Sequence, residues 1–401
     1  MEETVVCNLL IQHEGYRVTS VQIASEDLRH VIRSAFDSIS LQINTLRPDQ
    51  GTVALPNCYS DLFSDVFDAV GVLHTGGDAC LAAFLATFLF DSVTPMWKAL
   101  IDRAQHLLAI HLWTAILGLA ADWEQRSAVL IHKGSPYAFL AYTYLMIGDF
   151  DSAFSYIYNA IEEDRRLGSA CPTINYPAEA PVYMTATLRD SQTNLMWPNV
   201  AAIRDAIQSE IAGYDKRFGR AFSLDDFDTQ FLRNPRLEAV AFFFVFTFWS
   251  VVEHRKRVDL SLMSNDFSRL KNARWLFGLC LVVDRLLHEH PDYTDKYISG
   301  QIAKFVEKRQ LMPSCDLSRL ICATGVASAH PDNLLPGLLS GSLIHENRTV
   351  PLEVQHLFVA WNLRNYAAHN INTKRVIGEQ FDGIVSALLY CIFLILEQYT
   401  Y

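Results

Sequence analysis

Four common catalytic signatures are missing from this 401-residue chain. There is no G-x-x-x-x-G-K-[ST] loop for a P-loop nucleotidase, no H-E-x-x-H for a zinc protease and no G-x-G-x-x-G for a dinucleotide fold. No C-x-x-C pair occurs among the eight cysteines, at 7, 58, 80, 171, 280, 315, 322 and 391, which removes zinc ribbons and thioredoxin-type redox sites. Scattered cysteines in a chain of this size read as reduced thiols in a cytoplasmic protein. Long apolar runs are missing too. The two most apolar, Ala239–Val252 with 14 residues and Ile384–Leu396 with 13, fall short of the roughly 20 a membrane helix needs. Buried core helices, and no membrane partner, are expected from them. Met1-Glu2-Glu3 carries acid where a signal peptide carries base, and without such a signal the Asn347-Arg348-Thr349 sequon reads as chance. Charge of one sign is in excess, 33 − 44 = −11, which argues against a nucleic-acid coat.

What is present is mostly helical pattern. The first 25 residues alternate loosely around Gly15, as a small hairpin would, although Asn8 and Gln12 break the period of two and keep a helix open as the alternative. Ser25-Glu26-Asp27 then reads as a cap, with Leu28, Val31, Ile32, Ala35 and Ile39 on one helix face. Helices are expected over 84–90, 96–121 and 136–146. Residues 148–161 place a Gly-Asp turn before a helix with small residues at 153 and 160. That segment resembles the second half of a tetratricopeptide repeat, in which small residues let two antiparallel helices approach closely. Only one such unit is visible, so an ordinary helical hairpin is equally open. Prolines and glycines punctuate 168–200, where a long loop is expected.

Ser223-Leu224-Asp225-Asp226 reads as a capping box opening a second region. Helices are expected over 236–257, 264–289, 292–310, 351–373 and 378–398, with a loop over 312–350. The fold class is therefore mainly all-α. Residues 1–215 form an acidic helical region, repeat-like in part and with a small N-terminal hairpin. Residues 216–401 form a helical bundle.

Several polar clusters have plain structural explanations. His288-Glu289-His290 looks like a metal pair but sits at a helix end, where histidine suits the dipole. Glu253-His254-Arg255-Lys256-Arg257 can compensate a helix terminus or contact RNA. Asp225, Asp226 and Asp228 fit capping. Gly337-Leu338-Leu339-Ser340-Gly341 places its serine one position off a nucleophile elbow.

One segment carries more: Trp361-Asn362-Leu363-Arg364-Asn365-Tyr366-Ala367-Ala368-His369-Asn370. At 100° per residue, Arg364, Asn365 and His369 share one side of a helix with Trp361, and Val359, Leu363, Tyr366 and Ala367 form a core stripe opposite. Leu357 and Phe358 also fall on the polar side, as in a cleft or subunit interface. An always-charged guanidinium can fork onto phosphate, and an imidazole titrating near pH 6.5 can move a proton. Lys374 and Arg375 follow. With Trp361 they are the candidate substrate-binding residues, while Arg364, Asn365 and His369 are the candidate catalytic ones.

Arg364, a polar residue directly after it, and His369 with four residues between match the R-x4–6-H signature. The segment resembles HEPN domains, and Arg-Asn-x-x-Ala-His looks like their ribonuclease branch. The resemblance covers about six residues by motif and roughly residues 220 to 401 by helix pattern. HEPN domains are helical nucleotide-binding or ribonuclease modules of prokaryotic defence, toxin and CRISPR-associated systems and of some eukaryotic sensors. The resemblance implies a metal-independent endoribonuclease without cofactor. Its ribose 2′-hydroxyl attacks the adjacent phosphate of single-stranded RNA, leaving a 2′,3′-cyclic phosphate and a 5′-hydroxyl. It also implies a homodimer whose two sites meet. The helical first half is then the place for a protein or nucleotide regulator. The competing reading is a non-catalytic helical adaptor, with Arg364 and His369 bonded inside the bundle. Charge divides unevenly: residues 1–215 carry 12 − 25 = −13 and residues 216–401 carry 21 − 19 = +2, which permits phosphate binding in the second half.

Overall fold

The computed structural model describes residues 7–13, 16–23, 90, 93–94, 97–127, 130–170, 197–257, 266–293, 295–313, 317–322, 331–369 and 374–399. The expected helix after Ser25, most of that over 84–90 and most of the 168–200 loop lie outside them. The described chain is mainly helical. It divides into two units, Met1–Ala186 and Thr187–Tyr401.

The first unit opens with an antiparallel hairpin of β1 (Cys7–His13) and β2 (Tyr16–Ile23). Cys7 lies opposite Ile23 and His13 opposite Tyr16, with one register shift between Leu9 and Ile11. That shift sets two residues of β2, between Val18 and Val21, against one of β1. The expected helix over 96–121 is interrupted. Ala104 takes a left-handed φ of 56°, and the amides of Ala104 and Gln105 turn back to Ile101 and Leu100. Helix α1 then runs His106–Ser127. By length and composition it could cross a membrane, a feature the two shorter runs had drawn attention away from. Its Ala109, Leu112, Trp113, Ile116 and Ala120 are buried.

Helices α2 (Gly134–Ile147) and α3 (Phe150–Ala170) form the expected helical hairpin. Gly148 closes α2 at φ 79°, in the left-handed region, with its amide on Leu145 and that of Asp149 on Tyr144. Asp149 caps α3 by accepting from the Ser152 amide at 3.1 Å and its hydroxyl at 2.7 Å. Ala141, Ala153 and Ala160 are buried where the helices approach, and Tyr144 stacks on Tyr156 at 5.5 Å. Trp113 stacks on Phe139 at 5.1 Å, tying α1 to α2.

A buried ionic network holds the connection into α2. Lys133 Nζ lies 2.5 Å from Glu124 and 3.3 Å from Glu163, and Arg166 bonds both carboxylates and the Ile131 carbonyl. Burial pushes the Glu124 carboxyl up, but bonds from Lys133, the Ile131 amide and Arg166 together hold it below its ordinary value.

In the second unit, α4 (Trp197–Phe218) buries Ile203, Ile207, Ile211 and Tyr214. The capping box at Ser223 is present: its hydroxyl accepts from the Asp226 amide at 3.1 Å, and Asp226 accepts from the Ser223 amide at 2.9 Å. A single π turn, Asp228–Leu232, follows, where Asp228 takes a two-pronged bond from Arg204 of α4 at 2.9 and 3.1 Å. Then come α5 (Glu238–Arg257), α6 (Asp266–Glu289) and α7 (Ile298–Lys308).

The expected loop over 312–350 is more ordered than its prolines and glycines suggested. It holds a helical stretch at 317–322, helix α8 (Pro331–Ser340) and the small ladder β3–β4 (Ile344–His345, Arg348–Thr349). Pro336 sits inside α8, where fully buried Leu335 and Leu338 outweigh the lost backbone bond. Helices α9 (Leu352–His369), α10 (Arg375–Glu379) and α11 (Phe381–Leu396) close the chain. α11 packs against α9, α6 and α4.

The division at 186/187 falls earlier than the expected 215/216, because α4 belongs to the core of the second unit. The charge moves with it. Residues 1–186 carry 10 − 21 = −11 and residues 187–401 carry 23 − 23 = 0, so the small basic excess depended on leaving α4 out.

Two predictions follow from these contacts. Gly148→Ala, forced into a left-handed φ, is expected to cost about 1 kcal/mol, seen as a lower midpoint in urea. A fragment beginning at residue 187 is expected to unfold cooperatively. One beginning at 216 lacks buried Ile203, Ile207, Ile211 and Tyr214 of α4, each worth about 2–5 kcal/mol on truncation, and should show no cooperative melt.

Candidate functional site

Helix α9 is unusual in being dry on every side through its middle. Residues 354–363 are all buried, including the polar Gln355, His356 and Asn362. Gln355 is satisfied by donating to the Val350 carbonyl at 2.7 Å and accepting from the Leu343 amide at 3.2 Å. Asn362 donates back to the Phe358 carbonyl at 2.8 Å. The expected division into a polar side and a core stripe therefore holds only for the last turns. Leu357, Phe358 and Trp361, which share the Arg364 side, are buried like the opposite stripe. The helix surfaces at Arg364 and Asn365, both half-buried.

Arg364 lies across from α6. Its Nη2 is 3.3 Å from Asp284 Oδ2, with the arginine side chain 36% and the aspartate 20% exposed. Nη1 reaches Asn365 Oδ1 at 3.5 Å, a long bond, and Nε is buried with no hydrogen-bond partner among the described residues. Cys280, one turn before Asp284, is fully buried, and that burial together with the Asp284 charge pushes its thiol far up. The guanidinium thus stands at the rim of the apolar core, under-satisfied and facing one carboxylate.

The other candidates lie along α9 and at the start of α10. Trp361 is buried and packs against Phe358 at 5.5 Å between ring centres. His369 is the last residue of α9, and its side chain lies outside the described residues, as do residues 370–373. Lys374 precedes α10 and is half-buried, whereas Arg375 is 81% exposed and paired with Glu379. The Val376 amide donates to Asp332 at 3.1 Å, which ties α10 to α8. Asp284 had no motif to reveal it. Its only trace in the sequence is as the single acid within the apolar run Leu276–Leu287.

The clusters set aside earlier resolve into packing. His288 faces Gln301, while His290 stacks on Tyr293 at 4.1 Å and accepts from the Asp292 amide, so the two imidazoles do not converge. No group of three metal-ligating side chains occurs among the described residues. Arg255 bridges Asp382 and Glu210 at 2.8 and 3.4 Å, and His254 lies against Trp275. Ser340 bonds Ser342 rather than a base.

With this geometry in view, comparison with protein-family models, curated proteins and solved structures finds no match.

The histidine of α9 whose surroundings are described, His356, is held neutral. It is buried among Phe218 and Tyr390. Burial, aided by the nearby Arg217 charge, pushes its imidazole down to about 3. An unfolded chain takes up that proton near pH 6.5. The folded state therefore keeps the full contribution of neutral His356 above that pH and loses it as pH falls toward 3. The melting temperature is expected to drop across this window in calorimetry, and His356→Phe should flatten the drop.

Proposed function

We propose that the chain is a metal-independent endoribonuclease of HEPN type, cutting single-stranded RNA at a site made by Arg364, Asn365 and His369. The observation that carries this reading is the end of α9. A helix that is dry for ten residues, 354–363, surfaces at an arginine and an asparagine of the R-x4-H segment, with a buried Nε that has no acceptor among the described residues. A phosphate could bond the partly exposed terminal nitrogens and draw on the charge of the guanidinium. His369, five residues on from Arg364 along the helix, supplies a group suited to proton transfer at neutral pH. In the reaction the 2′-oxygen bonds to phosphorus as its proton leaves, and the P–O5′ bond breaks with a proton delivered to the departing oxygen. One arginine and one histidine per chain are sparse for both transfers. Pairing two chains would double them, so we infer a homodimer acting in the cytoplasm, in prokaryotic defence or stress response. Lys374, shortly after the segment, is the further candidate for substrate contact, whereas Arg375 is paired with Glu379. Trp361, being buried, supports the site from within.

A second reading, a helical adaptor, is favoured by the α2–α3 hairpin. Met146 and Ile147 there are 47% and 41% exposed at its turn, a surface suited to a protein partner.

Incubation of the full chain with labelled single-stranded RNA in EDTA discriminates the two. The nuclease reading expects cyclic-phosphate ends, reduced at least a hundredfold in Arg364→Ala and His369→Ala, on the order of the loss of one catalytic group. Cleavage that needs a divalent metal, or that survives both substitutions, sinks it.

A further inference from the structure

We propose that Asp284 is the resident counter-ion of Arg364 and that an RNA phosphodiester takes its place on binding. The proposal rests on the ribonuclease reading for the identity of the ligand and deepens it by assigning a residue that gates the same arginine.

Four observations carry it. First, Asp284 stands on α6 among buried neighbours Val282, Val283, Leu286 and Leu287, a costly position for a lone carboxylate. Second, among the described residues its ion-pair partner is Arg364, and Arg364 has no other acid. Third, the pair is incompletely made. A guanidinium offers five N–H donors, yet among the described residues this one has a 3.3 Å contact to Asp284, a 3.5 Å bond to Asn365 and a buried Nε without an acceptor. Arg204 in the same unit is better satisfied. Arg204 grips Asp228 with two bonds at 2.9 and 3.1 Å. Fourth, both members of the pair reach solvent, at 36% and 20% exposure, so an incoming anion can exchange with the carboxylate without opening the core.

The physical consequence is a competition. In the free protein Asp284 neutralises Arg364 and holds it at the core rim. A phosphodiester brings two non-bridging oxygens, which can take Nη1 and Nη2 together in the two-pronged geometry that arginine favours. The carboxylate is thereby displaced and left facing solvent at its exposed edge. Asp284 is thus a positioning residue that lowers ground-state affinity while presetting the arginine for the transition state, where negative charge on the phosphate is greatest.

The test is binding of a 2′-O-methylated single-stranded oligonucleotide, which cannot form the cyclic product, to the full chain by fluorescence anisotropy. Asp284→Asn is expected to bind about three- to fivefold more tightly than the parent, as for removal of one partly exposed ion pair. Arg364→Ala should bind more weakly, and the Asp284→Asn gain should vanish in the Arg364→Ala background. The exchanged double variant, Asp284→Arg with Arg364→Asp, should keep the parent melting temperature but bind no better than Arg364→Ala. It also covers the case in which Asp284→Asn fails to fold, because its ion pair is retained. Unchanged or weaker binding by a folded Asp284→Asn overturns the proposal. So does a gain that persists without Arg364, or no binding by any form. Cleavage assays on the same proteins separate this from the parent reading. A chain that shows the binding pattern but cuts nothing retains the counter-ion and loses the nuclease. A chain that cuts through Arg364, with Asp284→Asn no tighter, does the reverse. Where both hold, Asp284→Asn should also lower kcat while KM falls.

Discussion

The second unit is organised by one constraint, that α11 has almost no face it can show to water. Every residue from Ala387 to Leu396 is buried, and of the whole helix only Asp382, Gly383 and Ser386 are not. A helix apolar all round has to be enclosed on all sides. Helices α4, α6 and α9 do this, with Tyr214 of α4 against Phe393 and Cys280 of α6 near Cys391, and Phe222, between α4 and the capping box, also stacks on Phe393. The end of the enclosed helix then becomes a collecting point for polar groups. Glu397, just past Leu396, accepts from the Tyr214 hydroxyl at 2.7 Å and from Arg309 at 2.9 Å, with Arg220 at 3.4 Å shared with Glu353. Sequence positions more than 180 apart are joined there in the Tyr214–Glu397 bond.

Enclosure of α11 has a cost for its neighbour. α9 lies between α11, α6 and α8, so it loses its own solvent face through most of its length. Polar side chains in that stretch must find partners inside: Gln355 on the Val350–Leu343 strap, Asn362 on its own backbone. His356 manages only by staying uncharged. Arg364 cannot do likewise, since a guanidinium does not lose its proton in a protein. It survives because it stands where the enclosure ends and because α6 supplies a carboxylate. The candidate site is in this sense a boundary effect, the first place along α9 where a permanent charge is tolerable.

Much of the fold was legible. The α2–α3 hairpin announced itself through Gly148-Asp149 and the small residues Ala153 and Ala160, the capping box through Ser223 and Asp226, and the closing helices through uninterrupted apolar runs. These are local signals, settled by backbone conformation and neighbouring side chains. What escaped was tertiary. Pro336 and Gly337 look like breakers until buried Leu335 and Leu338 are seen to hold α8 in place. Ala104 takes a left-handed turn that no propensity signals. α4 looked like part of an acidic first half, and only its packing on α11 assigns it to the second unit. At the site, Arg364 and Asn365 stood out by spacing, whereas Asp284 is 80 positions away from Arg364 and ordinary by type. Helical periodicity also placed Leu357, Phe358 and Trp361 on the Arg364 side, at a cleft or subunit interface, because a one-helix argument cannot see that neighbouring helices of the same chain cover them.

The charge pattern bears on what kind of phosphate recognition this unit can support. Once α4 is included the unit is neutral, 23 − 23 = 0, so it has no net charge with which to draw in a polyanion from a distance. Many of its bases are already committed internally: Arg204 to Asp228, Arg255 to Asp382 and Glu210, Arg220 and Arg309 to Glu397. Recognition resting on such a surface has to be local, a few directed bonds at one arginine, in place of a broad cationic track. Each phosphate neutralised on single strands contributes a salt slope of about 0.7, so a site with one or two such contacts per chain is only weakly sensitive to ionic strength. In that regime the geometry of the arginine matters more than the field around it. On the proposed reading, a neighbouring carboxylate that fixes the guanidinium would contribute to function even though, by charge alone, it opposes binding.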